Sequence, residues 1–275
     1  MTDIRSQKGY DIPVSGAPSA EVEVLPPPRT LALLPERIPF VKPRLAVQEG
    51  ERVRIGQVLF RDKRNPHLAF VSPGGGRVVR IDFGPKRVIR EIVVEREASE
   101  AAVSFEPVDE AALARMPREA LVERLLEGGV WPFLRALPFR DIAPHEADPP
   151  AIFVGLGARE PFLPDPDVYL AGREALFRLG LAALGRLSDR VVVHAEPGHG
   201  AAVADLVTHR VHGRYPADDP GVALYHLRRE ASDNRAWFVS GQDLLVIGGF
   251  LAAGAFPTER VVCRAGSLAE RPVHL

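Results

Sequence analysis

The 275-residue sequence predicts an α/β multidomain chain: a small all-β barrel or sandwich followed by a larger domain built on a parallel sheet. Three observations predict it. Between Pro43 and Ile81, short apolar runs are separated by turn glycines. Beyond a proline-rich seam at Pro144–Pro150, apolar strands alternate with helical stretches. The length accommodates about two domains of roughly 100–200 residues each.

Taken in order, the first residues, Met1 to Gln7, mix charged and polar side chains with no apolar run behind them, so neither a signal peptide nor a transit peptide is expected. Lys8 to Gly16 places two glycines and a proline around three apolar side chains and reads as an ordered loop wrapped onto something. Pro26-Pro27-Pro28 ends this arm, assigned as 1–28. The barrel follows, assigned as 29–100. Val53, Ile55, Val58 and Phe60 are separated by Gly50 and Gly56, which gives short strands with tight reversals. Ala69 to Val71 is a buried strand, Ser72 to Gly76 a reversal, Arg77 to Ile81 the next strand and Arg87 to Glu95 the closing one. The pattern Val47-x-x-Gly50-x-x-Val53-x-x-Gly56-Gln57-x-Leu59, with Pro73-x-Gly75-x-x-Val78, is similar to that of biotinyl and lipoyl carrier domains and implies a barrel-sandwich hybrid.

Residues 101–150 read as a helical connector. Asp109-Glu110 puts acid at a helix start, Leu121, Val122, Leu125 and Leu126 form a stripe at helical spacing, and Gly128-Gly129 ends it. The aromatic run Trp131 to Phe139 lacks an interleaved basic cluster, so it reads as core or interface rather than a nucleotide-stacking platform. In the next stretch, assigned as 151–256, Ala151 to Leu156 and Arg190 to His194 are strands with the helix Glu174 to Leu187 between them. Ala201 to Leu206 is a short helix, and Val207 to Val211 and Arg235 to Val239 are further strands. This alternation implies a Rossmann-like parallel α/β domain. Ser240 to Asp243 caps the apolar helix Leu244 to Ala253, which Pro257 ends.

Composition excludes several functions. Thirty-five basic against 36 acidic residues give a formal charge of −1, so no global field draws in nucleic acid or anionic lipid. The single cysteine, Cys263, can neither form an internal disulfide nor ligate an iron–sulfur cluster, and a reducing compartment follows as the default. Leu244 to Phe256 is an uncharged, largely apolar segment and falls short of the roughly 18–20 residues that span a bilayer.

No catalytic, cofactor-binding or metal-binding residue is assigned. Gly155-Leu156-Gly157-Ala158-Arg159-Glu160 follows a strand and begins like a dinucleotide fingerprint, but Glu160 stands at the third glycine position. Pro161, Pro164 and Pro166 deny the immediate helix that would hold a pyrophosphate, so the segment reads as a structural turn. Asp62-Lys63 resembles the modified dipeptide of lipoyl carriers, and Lys63 reads as an exposed lysine. His209 and His212 lie three apart on a strand and point to opposite faces, while His194 and His199 make no complete zinc site. There is no nucleophile elbow and no Walker loop.

Motifs along nearly the whole chain carry a wider resemblance. They are Lys8-Gly9-x-Asp11-x-Pro13-x-x-Gly16, Glu49-Gly50 through Asp62-Lys63-x-Asn65-Pro66, Lys86-Arg87-Val88, Arg135-x-x-Pro138-Phe139, Ala151 to Val154 and Thr258 to Val262. Together they resemble the NqrA family, one of the subunit families of the sodium-translocating NADH:quinone reductases. The resemblance implies a peripheral protein on the cytoplasmic side of the inner membrane, held there by its partners in the complex, above all the membrane subunits. It implies ubiquinone as substrate, with NADH, flavin and iron–sulfur sites in the partner proteins and no cofactor bound by this chain. Tyr215 and Asp218 depart from the His-Pro-Ala-Gly-like loop of that family. Family members continue beyond Leu275, so 257–275 is expected to begin a β-grasp segment, in a truncated or naturally shortened chain. Three readings stand: a redox-enzyme subunit contributing to quinone access, a scaffold that holds no ligand, and an acyl-carrier module using Lys63. The isolated chain is expected to perform no redox chemistry.

Overall fold

A computed structural model describes residues 2–157 and 160–275. The chain forms two compact units. One takes residues up to Leu25, Leu134–Gly248 and Glu259–Leu275; the other takes Pro26–Phe133 and Gly249–Thr258.

The second of these is β-rich in its first part. A four-stranded antiparallel sheet runs in the order Thr30–Leu33, Ile89–Arg96, Gly76–Phe83, Arg52–Val53, and a three-stranded one in the order Pro43–Leu45, Val58–Asp62, Ala69–Val71. Leu59, Val78, Ile92 and Val94 are buried in this unit. Phe60 pairs with Phe70 across strands, and their rings stack with centroids 4.5 Å apart. Glu100 closes the unit by accepting the Gly75 N–H at 2.7 Å and pairing with Arg96, whose guanidinium holds its carboxyl below the usual range. The expected single helical stretch after Asp109 is two helices, Glu110–Arg115 and Arg118–Glu127. Pro117 lacks the N–H that continuity would need. Asp109 caps the first by accepting the Ala112 N–H at 2.7 Å.

The other unit is organised on a seven-stranded sheet in the order Thr2–Arg5, His209–His212, Val191–Ala195, Ile152–Gly155, Trp237–Ser240, Arg135–Ala136, Asp141–Ile142. The first five strands are parallel; Arg135–Ala136 pairs antiparallel with Trp237–Ser240, and Asp141–Ile142 pairs antiparallel with Arg135–Ala136. Ile152, Phe153 and Val154 are wholly buried, the signature of a strand covered on both faces. On one face Phe153 and Val192 pack with Ala223 and Leu224 of the helix Pro220–Leu227. The helices Glu174–Gly185 and Gly241–Ala253 meet through small residues: a Cβ on Gly248 would lie 1.9 Å from the Leu176 carbonyl oxygen, and one on Gly180 would lie 2.8 Å from that of Leu244. The cap at Ser240 forms as expected, its Oγ accepting the Asp243 N–H at 3.1 Å.

Several local expectations are corrected. Thr2–Arg5 is an edge strand, anchored by Ile4 against Val211 and Ala217. The strand expected at Val207–Val211 runs His209–His212, and only Ala201–Val203 of the expected short helix is helical. The helix Pro220–Leu227, unanticipated from its Asp-Asp-Pro-Gly start, is capped by Asp219, which accepts the Gly221 N–H at 2.8 Å.

His194 sits in the centre of the sheet with 0% of its surface exposed, and neither ring nitrogen has a hydrogen-bond partner among the described residues. Burial, with His209 nearby, pushes its pKa down to about 4 from an ordinary 6.5.

The packing of this unit can be tested at two points. In Gly248→Ala the helix-propensity gain of about 1 kcal/mol is outweighed by the clash with a backbone oxygen, so a net loss of roughly 2 kcal/mol is expected by urea titration. Gly185→Ala, whose Cβ would meet nothing within 4 Å, should be neutral or stabilising. The second point concerns acid. The unfolded chain protonates His194 more readily than the folded one, so its neutral form contributes fully above pH 6.5, and that contribution falls as the pH drops towards 4. The loss is about 3 kcal/mol. Denaturation midpoints followed from pH 7 to 4.5 should flatten in His194→Leu; an unchanged slope would sink the assignment.

Candidate functional site

The chain leaves the central strand Ile152–Gly155, moves outward through Val191–Ala195 to His209–His212, then returns to Trp237–Ser240 on the other side of the starting strand. In sheets of this type ligands bind beyond the carboxyl ends of the strands, where the order reverses. At that end lies a cleft of about 270 Å³. Its apolar wall comes from Ile12 and Val14 of the arm and from Pro161, Phe162 and Leu163 of the loop after the central strand. Among the described residues its polar groups are Glu160, Asp165, His199 and His274.

Local sequence explains each wall. Pro161 and Pro164 keep the loop out of helix until Pro166, where a short helix, Pro166–Leu170, begins under a cap from Asp165, which accepts the Asp167 N–H at 2.9 Å. The arm is held by its backbone. Gly16 accepts the Gly266 N–H at 2.8 Å, and a Cβ on Gly16, at φ +85°, would lie 2.4 Å from the Gly266 carbonyl, so glycine alone fits.

His274, 2% exposed, ties the pieces together. Its Nε2 accepts the Asp165 N–H at 3.0 Å, which places the ring proton on Nδ1, and Nδ1 donates to the Ser19 carbonyl at 2.6 Å. The Glu23 N–H donates to the His274 carbonyl at 2.9 Å. One ring thus fixes the arm, the loop and the segment that carries it.

Of the residues singled out in the sequence, Glu160, Pro161 and His199 line the cleft, and the others fall elsewhere or singly. In the glycine segment after the central strand, Ala158 and Arg159 lie outside the described residues. A Cβ on Gly157 would lie 2.8 Å from an Asp218 carboxylate oxygen, a neighbour unsuited to a phosphate. Lys63 is exposed and its backbone N–H donates to the Lys42 carbonyl, while Asp62 is buried and accepts the N–H groups of Lys42 and Arg64. Nδ1 of His209 is 2.8 Å from the Thr208 hydroxyl, and Nε2 of His212 is 3.2 Å from Asp3. Among the described residues no group of three or more His, Cys, Asp or Glu is placed to hold a metal ion. Burial, then the Asp165 carboxylate, pushes the half-buried Cys263 thiol up, away from thiolate chemistry. Burial, with Asp243 and Asp165 nearby, pushes the Tyr169 hydroxyl up in the same way.

The cleft itself was invisible to spacing, because its lining comes from segments far apart in the chain, Asp165 and His274 being 109 residues apart. The one local signal was the concentration of apolar residues between prolines at Pro161 to Pro164, which no strand or helix absorbs.

Comparison with known proteins adds what the geometry leaves open. Residues 4–97 match the NqrA N-terminal barrel-sandwich hybrid domain, and residues 116–256 match the NqrA second alpha/beta domain. Among curated proteins, the NqrA component of the Na(+)-translocating NADH-quinone reductase of Pseudomonas aeruginosa PAO1 is 35% identical over 271 residues, 98% of this chain and 61% of that protein. Its counterpart of the same name in Neisseria meningitidis serogroup B is 34% identical over 274 residues, 98% of this chain and 61% of its own length. That of Serratia proteamaculans is 35% identical over 278 residues, 99% of this chain and 62% of its own. The chain therefore spans about 61% of the length of these relatives. A barrel-sandwich hybrid followed by an α/β domain, in the order and over the residues these matches cover, places the chain in the NqrA family.

Proposed function

We propose that this chain works as the NqrA component of a sodium-translocating NADH:quinone reductase, contributing to quinone reduction or access and to assembly of the complex. The observation that carries this reading is the 35% identity sustained over 98% of the chain. The complex oxidises NADH, reduces ubiquinone and moves sodium; this chain supplies shaped protein surface, while nicotinamide, flavin and iron–sulfur sites reside in the other subunits.

Physical features support the division of labour. The lone cysteine cannot hold a cluster, and its thiol is pushed away from the reactive thiolate. The carboxyl end of the parallel sheet offers a cleft with an apolar wall and a polar end, the general form of a small-molecule site. No described helix is long and apolar enough to cross a membrane. In this reading the chain sits on the cytoplasmic side of the inner membrane, attached through its partners, the membrane subunits above all.

The test is reconstitution. A complex assembled without this chain should keep NADH oxidation with an artificial acceptor and lose most of its quinone reduction, and adding the purified chain should restore it. Full quinone reduction without the chain would overturn the proposal. The purified chain alone should show no NADH–quinone turnover, and its intact mass should equal that of the unmodified polypeptide; an acyl increment on Lys63 would favour a carrier role instead.

A further inference from the structure

The near-neutral total charge of the chain conceals an uneven distribution. Residues 29–100, which make up the barrel, carry 15 basic and nine acidic side chains, whereas the rest of the chain carries 20 and 27. The excess gathers on three linked loops of the barrel unit. In the hairpin between Gly76–Phe83 and Ile89–Arg96 stand Lys86 and Arg87, with Arg90 packed on Gly84, where a Cβ would lie 2.9 Å from the arginine Cδ. Glu36 of the turn Pro35–Arg37 reaches Arg90 at 3.6 Å, and four residues later the Phe40 carbonyl accepts from the Arg64 guanidinium. The Lys42 N–H donates to the Asp62 carboxylate at 2.9 Å and the Lys63 N–H to the Lys42 carbonyl at 2.8 Å, which ties the second loop to the third.

On these loops, 35–42, 62–66 and 83–90, seven basic side chains stand against two acidic ones, and all seven are exposed. Asp62 is buried and spent on backbone N–H groups, and Glu36 offsets Arg90 alone. Arg37, Lys42, Lys63, Arg64, Lys86 and Arg87 enter no ion pair among the described residues. Apolar side chains stand among the charges. Phe40 is 62% exposed, Phe83 48% and Val88 46%, and the Arg87 guanidinium lies 5.9 Å from the centre of the Phe83 ring. Three of the five described non-glycine residues in the left-handed region, Phe40, Lys86 and Arg87, are on these loops, at φ +63°, +57° and +58°. Such backbone persists only where the surrounding structure imposes it, and here it displays an aromatic ring and two charges to solvent.

This mixture matches the surface of an anionic bilayer. Basic groups lie at the headgroup phosphates, and apolar tips enter the boundary between headgroups and acyl chains. A nucleic acid would call for free aromatic faces on which bases stack, and one face of the Phe83 ring is already occupied by Arg87. We infer that this rim of the barrel is a docking surface for the anionic lipid headgroups of a membrane, held by charge and by shallow apolar contact. The choice of lipid rests on the reading of the chain as a component of a membrane complex, and it adds a direct lipid contact to attachment through the partner subunits.

The test is flotation of the whole purified chain with vesicles of phosphatidylcholine, alone or with phosphatidylglycerol added. Binding is expected to need the anionic lipid and to fall steeply when ionic strength rises from about 0.05 M to about 0.5 M, as the Debye length contracts. Each rim charge removed should weaken it about fivefold, the factor that corresponds to one basic group near such a surface. Lys86→Gly with Arg87→Gly should therefore cost about 25-fold, and Phe40→Gly several-fold. The melting temperature should be unchanged or higher in both, since glycine takes the left-handed backbone without strain. Arg229→Gln with Arg235→Gln, an equal loss of charge in the α/β unit, should leave binding unchanged. Equal binding to both vesicle types, no binding to either, or an equal effect of the two double variants would each overturn the inference. Capture of polyglutamate in place of vesicles would do so too, and would assign the rim to an acidic protein. Restoration of quinone reduction by adding the chain to a depleted, detergent-solubilised complex would still uphold the wider functional reading in any of those cases.

Discussion

The α/β unit depends on covering one strand from both sides. Ile152, Phe153 and Val154 expose nothing to solvent, and burying such side chains is worth roughly 1.5–3 kcal/mol each, but only while both faces stay dry. The helix Pro220–Leu227 covers one face, packing with Phe153 through Ala223 and Leu224. Glu174–Gly185 lies against the neighbouring strand Val191–Ala195, and the crossing at Gly180 and Gly248 is close because a methyl group there would meet backbone oxygen. Once both faces are occupied, the ends of the strands become the open ground, and the loops that leave them form the cleft. His194 shows what this dryness costs: its imidazole is kept neutral far below the usual range by the same exclusion of water.

What could be read from the residues alone is what a contiguous pattern can express. The apolar runs at Ala151 to Leu156 and Arg190 to His194, the stripe at Leu121 to Leu126 and the turn glycines Gly50 and Gly56 each carry their own signal, and each appears in the structure as a strand, helix or reversal. The edge strand Thr2–Arg5 carried none, because only Ile4 of its four residues is buried and the ladder to His209–His212 is a backbone interaction indifferent to side chains. The start of Pro220–Leu227 read as a loop because Asp, Pro and Gly serve turns and helix N-termini alike. The cleft was hidden for a third reason: Val14, Phe162 and His274 meet only after the tertiary fold forms.

Family membership came from matching order over nearly the whole chain, and not from any reactive group. The barrel-sandwich geometry shared with carrier domains is a shape reused widely, and Lys63 stands exposed on it, joined to its surroundings through its backbone. The cleft speaks to chemistry more directly, since an apolar wall beside polar groups is the general form of a small-molecule site. Fold and site thus answer separate questions.

The tie through His274 bears on the order in which the molecule can be made. The ring that fixes Ser19 is translated 255 residues after it, and the strand Thr2–Arg5 needs His209–His212 as its template. During synthesis the stretch from Pro26 to Phe133 leaves the ribosome with nearly all of its own partners already emerged, whereas the arm has nothing to dock on until His209–His212 and Tyr215, and later Gly266 and His274, are free. The arm is therefore made well before the segments that seat it, and while the ribosome works through the intervening residues its apolar side chains have nothing of their own chain to cover them.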